Sequence, residues 1–297
     1  MTPADTDGLI WHDRPHLRNP RFVAAFEGWN DAAEAASDAA AWLVRAADAT
    51  SIASIDPEVH IDFQARRPHV ELLDGVTRRL RWPSNEFFAV PMPRAEHDLV
   101  VLLGCEPNYR WPSFCHAVIE VVTGCGCDSA FTFGALMGDS PHTRPTRITG
   151  TATDPEVIGR HGLEPSHYEG PTGIVGVLHD QLRRAGVPSV SLWATVPHYA
   201  AQAPNPHATR ELLRRLDSIL ALGLPTEDLD PAIGQWRAQL DATIAADDDL
   251  TEYLHQLEAQ YDAEPPEPPR VLPDVPSADA LAAEIERFLR DRPESSD

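Results

Sequence analysis

The sequence predicts an α/β fold, with a mostly parallel sheet covered by helices on both faces and a helical extension after it. Three observations predict this. Between residues 21 and 206, short apolar runs of strand length alternate with longer helical stretches, the order that builds parallel sheets. Runs such as Phe22-Val-Ala-Ala-Phe26 are apolar at every position, as a strand buried on both faces requires. Beyond residue 206 no strand-like run is seen, and three stretches with amphipathic helical spacing follow.

The elements follow in order. Residues 21–26 read as a buried strand, ahead of Glu27-Gly-Trp-Asn-Asp31. Residues 32–47 read as an Ala-rich helix, Ala having the best helix propensity. Residues 51–55 read as a strand, and 67–82 as a hairpin with Asp74-Gly75 as its turn signal. Strands are expected at 87–90 and 99–103. A helix is expected over 112–123, Pro112 being tolerated in its first turn. Then come a strand at 129–133, a loop over 135–145, a strand at 147–152, a helix at 172–185 and a strand at 190–196. A loop over 197–206 carries three prolines. The later helices are expected at 207–222, 229–246 and 250–261. The organisation is therefore a tail over 1–20, an α/β core over 21–206 and a helical extension over 207–262. A stiff linker with six prolines spans 263–276, and a last helix capped by Ser277 lies within 277–297.

Composition excludes several functions. The chain has 297 residues and a net charge of −22, and all 24 of its basic residues are Arg. Without Lys there is no GxxxxGK[ST] phosphate loop and no Schiff base. An acid excess argues against nucleic acid and anionic membranes as partners. The acidity is uneven: residues 1–206 hold 25 acids and 16 Arg, residues 207–297 hold 21 acids and 8 Arg. No apolar run approaches ~18 residues, so no membrane span is expected. The first residues lack the basic and apolar regions of a signal peptide. The four Cys, at 105, 115, 125 and 127, are expected to be reduced thiols of a cytoplasmic protein. Their spacing is not that of structural zinc, and no metal or cofactor is expected. HExxH, GxSxG and GxGxxG are all absent. Asp139-Ser140-Pro141-His142 brings triad-type residues into one loop, where a turn is the simpler reading.

Ligands of open α/β sheets bind beyond the C-terminal ends of the strands. Four polar loops are expected there. The first offers Glu27, Trp29, Asn30 and Asp31; the second Glu106, Tyr109, Arg110 and Trp111; the third His142, Thr143 and Arg144; the fourth His198 and Tyr199. Read as a pocket, the carboxylates would bind hydroxyls or act as base, and Arg144 with Thr143 would hold an anion. Read as scaffold, the same residues cap helices, fix turns and make subunit contacts, with Asp31 or Asn30 capping the Ala-rich helix. Glu169-Gly-Pro-Thr-Gly173 ahead of a helix could hold a phosphate. It could equally be a tight loop with Thr172 as the cap and Gly176 allowing close packing. Asp248 or Asp249 is expected to cap the helix that follows them.

These motifs carry a resemblance. FEGWNDA at 26–32, GCEPNYRW at 104–111, GALMGDSPHTRP at 134–145, YEGPTG at 168–173 and SLWATVPHY at 191–199 occur in order. The set, covering about residues 20–215, resembles the proteasome assembly chaperone 2 family and is most similar to its actinobacterial branch. The resemblance implies a three-layer α/β/α sandwich similar to the nucleoside phosphorylase/hydrolase architecture. It implies a non-enzymatic interaction protein, self-associating as a homo-oligomer with a trimer expected, and proteasome subunits as partners. The chain ends Glu294-Ser-Ser-Asp297, without the hydrophobic-Tyr-X tail by which proteins of this kind dock on α-rings, so docking by a tail is not expected. The alternative is a small-molecule-binding protein or a hydrolase/phosphorylase-like enzyme that uses the strand-end cleft.

Overall fold

The computed structural model describes residues 8–152, 155–163 and 168–263. The expected linker past residue 263, the last helix and the first seven residues lie outside these. In order, the elements are β1 (Leu9–Trp11), β2 (Arg21–Glu27), α1 (Ala35–Arg45), β3 (Thr50–Ile55), α2 (Pro57–His60), β4 (His69–Leu73), β5 (Thr77–Arg81), β6 (Asn85–Val90) and β7 (Leu99–Cys105). Then follow α3 (Trp111–Gly124), β8 (Ala130–Gly138), β9 (Ile148–Ala152), α4 (Pro155–His161), α5 (Ile174–Arg184) and β10 (Ser189–Pro197). The chain continues through α6 (Pro206–Leu220), α7 (Asp230–Ile244) and α8 (Asp248–Ala263). No helix among the described residues is long and apolar enough to cross a membrane.

Eight strands form one sheet in the order β1-β3-β6-β7-β2-β8-β10-β9. Its centre, β7-β2-β8-β10, is parallel. β6 and β9 flank that block antiparallel, and β3 runs with it on the far side of β6. Two-residue alternation sorts each central strand between two cores. Val23, Ala25 and Phe133 face α1 and α6, whose Ala36, Ala40, Leu212 and Leu216 are fully buried. Phe22, Ala24 and Phe26 face α3 and α5, with Phe114, Val118, Leu178 and Leu182. The result is a three-layer α/β/α sandwich.

The structure departs from the sequence reading in places that have physical causes. β8 runs to Gly138, so the expected loop over 135–145 starts four residues late. A Cβ at Gly134 would lie 2.5 Å from the Trp193 ring of β10, so the glycine serves close strand approach and the strand runs through it. The Ala-rich helix starts at Ala35, because Ala33 and Glu34 take left-handed φ angles of 51° and 54°. Among the described residues, β1, α2 and α4 have no counterpart in the sequence reading; each is too short for periodicity to reveal. Asp247, rather than Asp248 or Asp249, accepts the backbone N–H groups of Asp249 and Leu250 at the start of α8. The hairpin β4–β5 stands apart as its own two-stranded sheet.

Candidate functional site

Because β7, β2, β8 and β10 are parallel, their C-terminal ends share one edge of the sheet. The thirteen expected rim residues lie there or in the loops just beyond, in two separate clusters.

The first cluster sits on β2 and β7. Asn30 and Asp31 are buried, and the Asn30 carbonyl accepts the Ala135 N–H. Asp31 Oδ1 accepts from Ala36 N at 2.8 Å and Ser37 N at 3.0 Å, and its Oδ2 accepts the Ser37 hydroxyl at 2.6 Å. Burial, the largest influence, pushes this carboxyl up to about 6 against those hydrogen bonds. Glu106 Oε1 accepts Ile174 N at 2.8 Å. That carboxylate caps α5, so Thr172 does not: the N-cap residue is Gly173, which has no side chain to offer. The Gly-rich entry read as a phosphate cradle therefore already holds a carboxylate of its own chain. A Cβ at Gly173 would lie 2.2 Å from Asn30 Nδ2 and 2.7 Å from Glu106 Oε1. Gly176 packs against Thr172 in the same way. Glu27 pairs with Arg66 at 2.9 Å, and the Tyr109 hydroxyl donates to Asp62 at 2.8 Å. Trp111 donates to the Pro107 carbonyl, and Arg110 takes a φ of 55° just before α3. Trp29 is 59% exposed and Tyr109 52%.

The second cluster, on β8 and β10, lies under the helical extension. His142 is buried, with its ring between the Tyr199 hydroxyl at 2.9 Å and Asp241 Oδ1 at 3.0 Å. With Nε2 donating to the Asp241 carboxylate, Nδ1 is left to accept from the Tyr199 hydroxyl. The same hydroxyl accepts the His142 backbone N–H, and burial raises the Tyr199 phenol to about 12. Arg144 makes a two-pronged contact with Asp262 at 2.8 and 2.7 Å and reaches Glu258 at 3.1 Å. Those carboxylates on α8 raise the Arg144 pKa further. Thr143 donates to Glu258. Arg147 stacks on the Tyr261 ring at 4.1 Å, and the Tyr261 hydroxyl donates to Pro145 O. His198 meets Asp139 and Tyr253. Nearby His207 contacts Thr146 and Arg237, and burial, with the neighbouring Arg residues, lowers its pKa to about 4.

Glu27, Glu106, His142, Arg144 and His198 therefore do not converge on one cleft. Each faces a protein group, and α7 and α8 cover the second half of the rim. The hollow beside Tyr199 measures about 50 Å³ and is lined by apolar residues such as Leu240, Ile244 and Leu254. That is room for a few waters, whereas ligand pockets start at roughly 300 Å³. Among the described residues no group of three His, Cys, Asp or Glu is placed to hold a metal ion. The cysteines are free, with Cys105, Cys115 and Cys127 buried and Cys125 half-buried. Burial pushes the Cys115 thiol up to about 12, which removes its nucleophilicity.

Sequence reasoning missed the partners: Arg66, Asp62, Ser37, Asp241, Glu258 and Asp262. One signal was present. Glu258 and Asp262 are four residues apart, on one helix face, in a chain that places Arg144 and Arg147 three residues apart in a core loop.

The fold and rim define a three-layer α/β/α protein whose strand-end groups are engaged with its own side chains. The chain belongs to the PAC2 family, whose model matches residues 25–244. A PAC2 family protein from Streptomyces avermitilis is 43% identical, with a TM-score of 0.73 over 79% of this chain and 99% of that one. A Mycobacterium tuberculosis proteasome-assembly chaperone homologue is 42% identical, with a TM-score of 0.72 over the same shares. An archaeal proteasome activator from Pyrococcus furiosus shares the fold at 18% identity, with a TM-score of 0.63 over 79% of this chain and 97% of that one. Among curated proteins none matches. The family match stops at the end of α7, so α8, which supplies Glu258 and Asp262, lies beyond it.

Proposed function

We propose that this chain is a non-enzymatic, self-associating interaction protein that acts in proteasome assembly or a related scaffold role. The observation that carries the reading is the 42% identity, over 79% of this chain and 99% of the other, to a protein named as a proteasome-assembly chaperone homologue. The rim geometry supports it. Most polar side chains of each cluster are paired within it, and the exposed part of the rim includes two large aromatic residues, Trp29 and Tyr109, beside Glu27 and Arg110. Such a surface suits contact with another protein, since aromatic residues are enriched in interfaces. The rim thus serves as a subunit contact and the protein works in the cytoplasm, as the reduced cysteines suit.

Affinity purification of the tagged chain from its source organism tests this, with proteasome α-subunits quantified against an untagged control. Enrichment of the α-subunits is expected; their presence at background level would count against the assembly role. Light scattering on the purified chain reads self-association separately.

A further inference from the structure

The hairpin β4–β5 is an arm without a cover. Leu73 and Val76 flank Asp74-Gly75, where φ angles of +52° and +74° make the tight turn that suits a twisted hairpin. All ten strand residues are exposed. The register puts Val70 opposite Leu80 and Leu72 opposite Arg78 on one face, and Trp82 follows on that face by alternation. Glu71 and Arg81 pair on the other. Six of the twelve exposed large hydrophobic residues among the described positions lie between Val70 and Trp82. A lone two-stranded hairpin is marginal in water, and a clustered apolar face of this kind marks an interaction site.

Charge selects the occupant. Residues 66–82 hold five Arg and two acids, net +3, in a chain of net −22. Two such arms packed face to face would repel. The loops around Trp29 and Tyr109 have the opposite character: residues 27–34 and 105–110 present Glu27, Glu34 and the half-buried Glu106 against Arg110 alone. The strands of the arm do not rest on their own rim, because they are exposed along their whole length; its base is held by Arg66 on Glu27 at 2.9 Å and by Phe63 against Trp82 at 4.9 Å.

We propose that the arm of one copy docks its apolar, Arg-rich hairpin on the aromatic, acidic strand-end rim of a second copy, joining copies head to tail. This rests on the self-association proposed above and names its two surfaces. A contact between two different patches is heterologous, and repeated by rotation it closes a ring.

Light scattering on three proteins tests it: the wild type, an arm variant with Leu72→Asp and Leu80→Asp, and a rim variant, Trp29→Arg. These side chains are exposed, so folding is unaffected, which circular dichroism melting checks. The wild type is expected as an oligomer, and each variant alone at the monomer mass of 32.7 kDa. An equimolar mixture of the two variants is expected at twice that mass, since the intact rim of one still accepts the intact arm of the other. An arm or rim variant that keeps the wild-type mass, or a mixture that stays monomeric, overturns the proposal and leaves self-association standing. A wild type that is monomeric at every concentration overturns both.

Discussion

Asp31 shows how one residue serves the fold. Its carboxylate satisfies Ala36 N, Ser37 N and the Ser37 hydroxyl, groups that the left-handed pair Ala33-Glu34 would otherwise strand at the head of α1. Asp31→Ala takes the acceptor from two backbone N–H groups and leaves the Ser37 hydroxyl only the Glu34 carbonyl at 3.3 Å, and is expected to cost about 2 kcal/mol, read by urea denaturation at pH 7. Burial also sets a pH dependence. The native carboxyl titrates near 6 and the unfolded one at 3.8, so between these values the native state holds the extra proton. Stability then falls as pH rises through that window, by at most roughly 3 kcal/mol. Gly173 is a second single-residue constraint. Gly173→Ala drives a Cβ into Asn30 and Glu106 and is expected to lower the melting temperature, whereas the same change at Gly126, with nothing within 4 Å, carries only its positive-φ strain.

At the scale of elements, the helical extension is fastened by two devices of different strength. His207 at the start of α6 meets Arg237 and, in ring contact, Trp236 of α7. Its native pKa near 4 lies below the ordinary 6.5, so the native state refuses a proton that the unfolded chain takes. That contribution is whole above pH 6.5 and is lost as pH falls toward 4. The slope opposes that of Asp31 over nearly the same range. The wild type should therefore show a flatter stability profile between pH 4 and 6 than either Asp31→Asn, which should rise with pH, or His207→Gln, which should fall. Thermal melts at four pH values in this range would show a wrong sign in either variant. Helix α8 is held by Arg144, whose side chain is 31% exposed. Partly exposed ion pairs contribute about 0–1 kcal/mol. Arg144→Ala is thus expected to leave the global melting temperature nearly unchanged while amide exchange in α8 quickens, a local opening rather than unfolding.

For the whole molecule, charge distribution matters more than total charge. In the proposed head-to-tail contact a cationic arm meets an acidic rim, so oligomerisation should weaken between low salt and 1 M NaCl, where the Debye length falls to about 3 Å. Sedimentation velocity over that range measures it; an association that strengthens steadily with salt would assign the contact to apolar area alone. Much of the body was legible in the sequence. The apolar strands, the Asp74-Gly75 turn and the three late helices all rest on local pattern, which is why the central strands and the hairpin stand within a few residues of where they were expected. The candidate site was legible only in part. Residue types and loop positions could be read, because strand-end loops of parallel strands share an edge. Their partners could not, because Arg144 and Asp262 are 118 residues apart, and only packing of α8 on the third loop brings them together.

The sequence by itself determined the α/β class, the helical extension, the absence of Lys-dependent chemistry and the ordered family motifs, because these depend on composition and on spacing within a single element. Tertiary structure alone decided that the rim divides in two, that α8 closes its second half, that a carboxylate occupies the Gly-rich helix entry and that a cationic arm stands clear of the body. Each of these is a meeting of groups far apart in the chain, set by which faces of the sheet and helices find one another, and no local pattern encodes it.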